Sequence, residues 1–79
     1  MPKNVPSLKP RELIRILKQN GCSFYREGKG DHRLFVRQFE NTKRVVPIDM
    51  GVGELLPLYV IRIFRQFGFS DTQIDVMLK

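Results

Sequence analysis

The chain has a single cysteine, a single histidine and no tryptophan, and no apolar run approaches the roughly 20 residues that a bilayer-spanning helix needs. With Cys22 alone, an internal disulfide is excluded, and the ligand count and spacing of a structural zinc site are missing. Cys22 is expected to be an ordinary buried thiol. No Pro-, Gly- or Ser-rich stretch is long enough to join two folding units, and the first residues lack an apolar segment of signal-peptide length. These absences lead to an expectation of one domain spanning residues 1–79 in the cytoplasm, with no membrane association and residues 1–6 as a flexible tail.

What is present is ordinary for a folded protein and unusual in its charge. Hydrophobic residues make up 42% and charged residues 28% of 79, which suits a packed core and excludes disorder by composition. A chain this short buries only about 60% of its unfolded surface, so its stability is modest and a partner that adds to it is plausible. The net charge is +6 and the isoelectric point about 10.0, which suits a polyanion or an acidic protein surface. Residues 1–44 carry 11 Lys and Arg against four acids, a net +7, whereas residues 45–79 carry three against four, a net −1. The positive field therefore belongs to the first half of the chain.

Pattern and punctuation divide the chain into six elements. Ser7 is placed as an N-cap and Pro10 in the first turn of a helix whose Leu13, Ile14 and Leu17 share a face, stopped by Gly21. Arg11, Arg15 and Lys18 form a stripe on its other side, open to solvation or to phosphate contact. Cys22 to Glu27 and Asp31 to Phe39 are expected strands joined by Gly28-Lys29-Gly30, whose glycines permit positive φ on either side of Lys29. After Glu40-Asn41-Thr42, Lys43 to Ile48 forms a third strand, with Pro47 at an edge or strand end. Pro57 opens a second helix expected to bury Leu58, Ile61 and Phe64, with Val60 as a further candidate. Ser70-Asp71-Thr72-Gln73 is a capping box with Phe69 and Ile74 as its staple, opening a short third helix through Met77 and Leu78. The expected architecture is α+β: a three-stranded antiparallel meander with helices on one face, in the order α-β-β-β-α plus a short C-terminal helix.

The position that draws attention is His32, directly after the glycine turn. An imidazole titrates near neutral pH and can exchange a proton with a ribose 2′-hydroxyl or a leaving 5′-oxygen. Arg26, Lys29 and Arg33 lie near enough in the hairpin to hold phosphate charge, and Asp31 adjoins the histidine in sequence. The bland alternative is a rim residue, since His32 shares strand parity with Leu34 and Val36, the aliphatic pair expected to face the helices. The opposite parity carries Arg33, Phe35, Arg37 and Phe39, which either stack bases and hold phosphates or pack under a helix. Ser7, Ser23 and Ser70 have no companion histidine nearby, and no phosphate-loop pattern is present, so neither a serine nucleophile nor a nucleotide cofactor is indicated.

Taken together, several segments resemble the HicA family of bacterial toxins, also called the YcfA type. These are Pro10-Arg11-Glu12 opening a helix that ends Leu17-Lys18-Gln19-Asn20-Gly21, then Gly30-Asp31-His32 with Phe35 behind it, Val45-Val46-Pro47, and Ile61-Arg62-Ile63-Phe64-Arg65-Gln66-Phe67-Gly68. The resemblance implies a fold similar to double-stranded-RNA-binding domains and a messenger-RNA endonuclease of a toxin–antitoxin pair. It also implies His32 as the catalytic residue and a HicB-like antitoxin as partner. Arg11, Arg15, Arg26, Lys29, Arg33, Arg37, Lys43 and Arg44 are the expected RNA and phosphate contacts, with no metal or other cofactor. Two departures stand out: Asp31 replaces the serine usual before the histidine, and the segment 49–56, usually basic, is here acidic and apolar. A non-catalytic RNA-binding or protein-interaction module of the same fold is the alternative.

Overall fold

Proline and glycine set most of the boundaries. The computed structural model describes residues 4–79, and the elements run α1 (Pro10–Gln19), β1 (Cys22–Glu27), β2 (His32–Phe39), β3 (Thr42–Asp49), α2 (Pro57–Gln66) and α3 (Asp71–Met77). Pro10 and Pro57 each occupy the first turn of a helix, where the missing N–H costs nothing. The α3 cap is reciprocal, as expected: Ser70 Oγ accepts from the Gln73 amide at 3.2 Å and Gln73 Oε1 accepts from the Ser70 amide at 2.8 Å. Phe69 and Ile74, expected as the staple, are both buried.

Ser7 does not cap α1. The cap position is Lys9, because Leu8 is drawn into an antiparallel bridge with Leu55, exchanging bonds of 3.0 and 2.7 Å. That pairing keeps the backbone extended until Pro10, and Glu12 Oε1 then accepts the Lys9 amide at 2.9 Å. Of the tail expected at 1–6, residues 1–3 lie outside the described residues, and Val5 packs partly buried against the core.

The sheet is an antiparallel meander in the order β1-β2-β3, which puts Pro47 on an edge strand as its missing donor requires. Between β2 and β3 the two-residue loop Glu40-Asn41 has φ of 50° and 60°, the mirror-image turn that matches strand twist. Between β1 and β2 the register slips at Tyr25, an unpaired residue between Phe24, opposite Phe35, and Arg26, opposite Leu34.

One core draws on every element: Leu13 and Leu17 of α1, Cys22, Phe35, Val46 and Ile48 of the sheet, Val60, Ile63 and Phe64 of α2, and Ile74 of α3. The expected facing of β2 is reversed. Phe35 is only 2% exposed, with Val46 and Phe24 opposite it, so Arg33, Phe35, Arg37 and Phe39 face the helices and His32, Leu34 and Val36 face away. Two phenyl rings bury more area than two aliphatic side chains, and that sets the choice. Gly68, at φ 88°, lets the end of α2 close over Phe39, since a Cβ there would lie 2.8 Å from the ring. On α2 the buried stripe is Val60, Ile63, Phe64 and Phe67, with Ile61 beside it; Leu58, expected in the core, falls outside this stripe and is 72% exposed. The chain measures 34 × 32 × 17 Å. A thickness of 17 Å fits one sheet and one helical layer about 10 Å away, and among the described residues nothing covers the second sheet face.

Candidate active site

The uncovered face is where His32 lies. The turn leading to it closes with Gly28 N donating to His32 O at 2.9 Å and His32 N donating to Lys29 O at 3.1 Å. Of the two glycines around Lys29, only Gly30 takes positive φ, at 58°. The same Lys29 carbonyl lies 3.2 Å from Nδ1 of the exposed His32 ring. A carbonyl oxygen can only accept, so Nδ1 carries the hydrogen and Nε2 holds the lone pair of the neutral imidazole. A backbone carbonyl thus fixes the tautomer and leaves the outer nitrogen as a base.

The cross-strand partner of His32 is Asp49. Met50 N donates to Asp31 O at 2.8 Å, one residue outside this pair, which makes it a non-hydrogen-bonded pair, the kind whose side chains approach most closely. Asp49 Oδ1 also accepts the Gly51 amide at 2.8 Å, which steadies the carboxylate. Asp31 points elsewhere and packs over Gly51. The acid that the register sets opposite the histidine is therefore Asp49, which sequence reasoning missed. The signal was available: a two-residue loop at 40–41 forces strand partners whose numbers sum to 81, pairing 32 with 49.

The cations expected to hold phosphate divide between two faces. Arg26, opposite Leu34, lies at the His32 end of the open face with its guanidinium on Glu27 O at 3.4 Å, and exposed Lys29 sits in the turn itself. Lys43 lies toward the other end of the open face, donating to Tyr25 Oη at 3.1 Å with its ammonium 4.4 Å from that ring's centre. This hydrogen bond holds the Tyr25 phenol below its usual pKa. Arg33 is on the helix-side parity, beyond the core, 3.6 Å from Glu27. Arg37 is sandwiched between Phe39 and Phe69 at 4.2 and 3.9 Å from their ring centres, and donates to Phe67 O at 2.9 Å. Arg44 donates to Gln66 O at 3.5 Å. Both guanidiniums thus serve the last carbonyls of α2, where a cation also complements the helix dipole. Arg11 and Arg15 are exposed on α1, and Arg11 borders a cleft shared with Lys9 and with Met50, Val52 and Gly53 of the loop after β3.

The structure therefore gathers His32, Asp49, Arg26 and Lys29 at one end of the open face and removes Arg33, Arg37 and Arg44 from it. Phe35 and Phe39 do not offer a stacking surface, because they pack under the helices. Among the described residues, no group of three or more His, Cys, Asp and Glu side chains is placed to hold a metal ion, and no helix is long and apolar enough to cross a membrane.

No curated protein and no solved structure matches the chain. A family profile does, described as the HicA toxin of bacterial toxin–antitoxin systems, over residues 10–69. That span runs from the first residue of α1 to just before α3, covering more than half of the chain together with His32 and the whole sheet. The chain belongs to the HicA toxin family.

Proposed function

We propose that this toxin is a cytoplasmic endoribonuclease acting on messenger RNA through His32, without a metal, and that a HicB-like antitoxin neutralises it by covering the histidine. The observation that carries this reading is the His32 ring itself. It is exposed on an unobstructed sheet face, with Nδ1 committed to the Lys29 carbonyl and Nε2 left as a base.

In this reading Nε2 takes the proton of a ribose 2′-hydroxyl, and the resulting oxygen attacks the adjacent phosphorus. The bond from phosphorus to the 5′-oxygen breaks, leaving a 2′,3′-cyclic phosphate on one fragment. The imidazolium, directly or through water, returns a proton to the departing 5′-oxygen, so no net proton is gained or lost. Lys29 and Arg26 stabilise the negative charge that builds on the phosphorane oxygens. Asp49 pairs with His32 across the β2–β3 ladder and adds a carboxylate to the same end of the face. Arg33, Arg37 and Arg44 are left out of this assignment because their guanidiniums lie on the helix side.

The test is cleavage of a mixed single-stranded RNA in EDTA by the wild type and His32→Ala, both verified as folded by circular dichroism. Fragments ending in cyclic phosphate from the wild type, and a loss of at least about 100-fold in the variant, are expected. Equal cutting by both proteins refutes the assignment. Asp31 and Asp49 at the same end of the sheet favour a second reading, an RNA-binding module without catalysis. That reading takes over if neither protein cuts while both bind RNA in a salt-sensitive manner.

A further inference from the structure

We propose that the open face of the sheet is a track for single-stranded RNA, with Tyr25 as the platform on which an unpaired base stacks and Lys43 and Arg26 as phosphate contacts along the way to His32. This rests on the ribonuclease reading above and specifies the form of the substrate and the surface that holds it.

The argument starts from the irregularity in β1. The register slips between Phe24 and Arg26, so Tyr25 has no partner on β2. A bulge bends its strand and re-aims a side chain, and here the Tyr25 ring reaches the Lys43 ammonium of β3 across the intervening strand. That contact places the ring above the open face, where the residue is 43% exposed. Phe24, 48% exposed, lies on the helix side, edge-on to buried Phe35 with ring centres 5.8 Å apart. The bulge thus turns two consecutive, partly exposed aromatics to different faces of the sheet, Phe24 to the helix side and Tyr25 to the open side.

Beneath and beside Tyr25 the open face carries Leu34 and Val36 of β2 and Val45 and Pro47 of β3, an apolar floor with no charge of its own. Cations stand around it: Lys43 at one end, Arg26 on the β1 side and Lys29 in the turn at the His32 end. The strand acid on this face is Asp49, paired with the catalytic histidine. From Val36 to His32 the strand advances roughly 14 Å, the reach of a short run of unstacked nucleotides. No helix obstructs the path, since all three contribute to the core on the other side.

An aromatic ring over an apolar floor bordered by cations matches an unpaired base and its phosphates. A duplex hides the faces of its bases and offers a ring nothing to stack on. The Lys43 ammonium over Tyr25 is an exposed, weakly held contact, so an arriving base displaces it and the ammonium moves to the adjoining phosphate.

The experiment uses full-length His32→Ala protein, so that bound RNA survives, and measures fluorescence anisotropy with a labelled unstructured RNA and with the same RNA annealed to its complement. Tyr25→Ala and Tyr25→Leu, the second keeping apolar bulk at the bulge, are expected to weaken single-strand binding by about tenfold or more, with Tyr25→Phe unchanged and duplex binding unaltered. Unchanged single-strand affinity in folded Tyr25→Ala and Tyr25→Leu overturns the proposal, as does an equal loss for the duplex. If these variants bind RNA normally but no longer capture a co-expressed antitoxin, the face belongs to a protein and the proposal likewise fails. The underlying ribonuclease reading is scored separately, by whether protein with His32 intact cuts RNA in EDTA.

Discussion

Arg37 and Cys22 show how a residue's neighbours decide what its chemistry is used for. An arginine on a strand of a basic protein resembles a nucleic-acid contact until two rings and the Phe67 carbonyl are found around it. Cys22, across the ladder from Arg37, is buried, and desolvation pushes its thiol up to about 11, against an opposing pull from the Arg37 charge. The folded protein therefore holds the thiol proton where the unfolded chain, with its ordinary value of 9.0, releases it. The unfolded state binds fewer protons across this interval, so stability falls as pH rises from about 9 to about 11 and is unaffected by this group at lower pH. At about 1.4 kcal/mol per unit, the loss amounts to roughly 2 to 3 kcal/mol. Thermal melts of wild type and Cys22→Ala across that range are expected to converge as pH rises, the wild type losing more. Parallel curves would show that burial does not hold the proton. The thiol is likewise expected to react slowly with alkylating reagents in the native protein at neutral pH.

At the scale of the element, the β2–β3 hairpin is the feature on which the site depends, because its register sets His32 opposite Asp49. Glu40 and Asn41 both adopt positive φ, yet Asn-Gly is the pair best suited to that turn. Glu40→Asn with Asn41→Gly is expected to stabilise the protein by about 1 kcal/mol, raising its melting temperature by about 4–8 °C in calorimetry. No gain, or a loss, would mean that the turn does not adopt this geometry in solution. The hairpin also marks the boundary of what the sequence made legible. Element types and order followed from local signals: Pro10, Pro57, the capping box at Ser70, and glycines at the turns. The facing of β2 did not, because both of its parities carry apolar residues and only the packed alternatives decide between Phe35 with Phe39 and Leu34 with Val36. The start of α1 was displaced by a pairing with Leu55, far along the chain, and the bulge at Tyr25 leaves no mark in local composition. His32 was legible as a lone titrating group after a turn, whereas Asp49 required the register.

For the whole molecule, the decisive question is which surface the positive charge serves. Two groups of exposed cations could meet a polyanion: Arg11, Arg15 and Lys18 on the outer side of α1, and Arg26, Lys29 and Lys43 with the open sheet face. The sheet lies between them, since α1 packs Leu13 and Leu17 into the core on its helical side. On the proposed ribonuclease reading, a short single strand engages one region or the other. Counterion release makes the choice measurable, because each phosphate contact contributes about 0.7 to the slope of log affinity against log salt for single-stranded nucleic acid. In the His32→Ala background, Arg26→Gln with Lys43→Gln is expected to lower the slope by about 1.4, whereas Arg15→Gln with Lys18→Gln leaves it nearly unchanged. Both pairs remove two positive charges, so a general dependence on net charge predicts equal effects. The reverse pattern would place the RNA along α1 and leave the open face, with its exposed histidine, to the antitoxin.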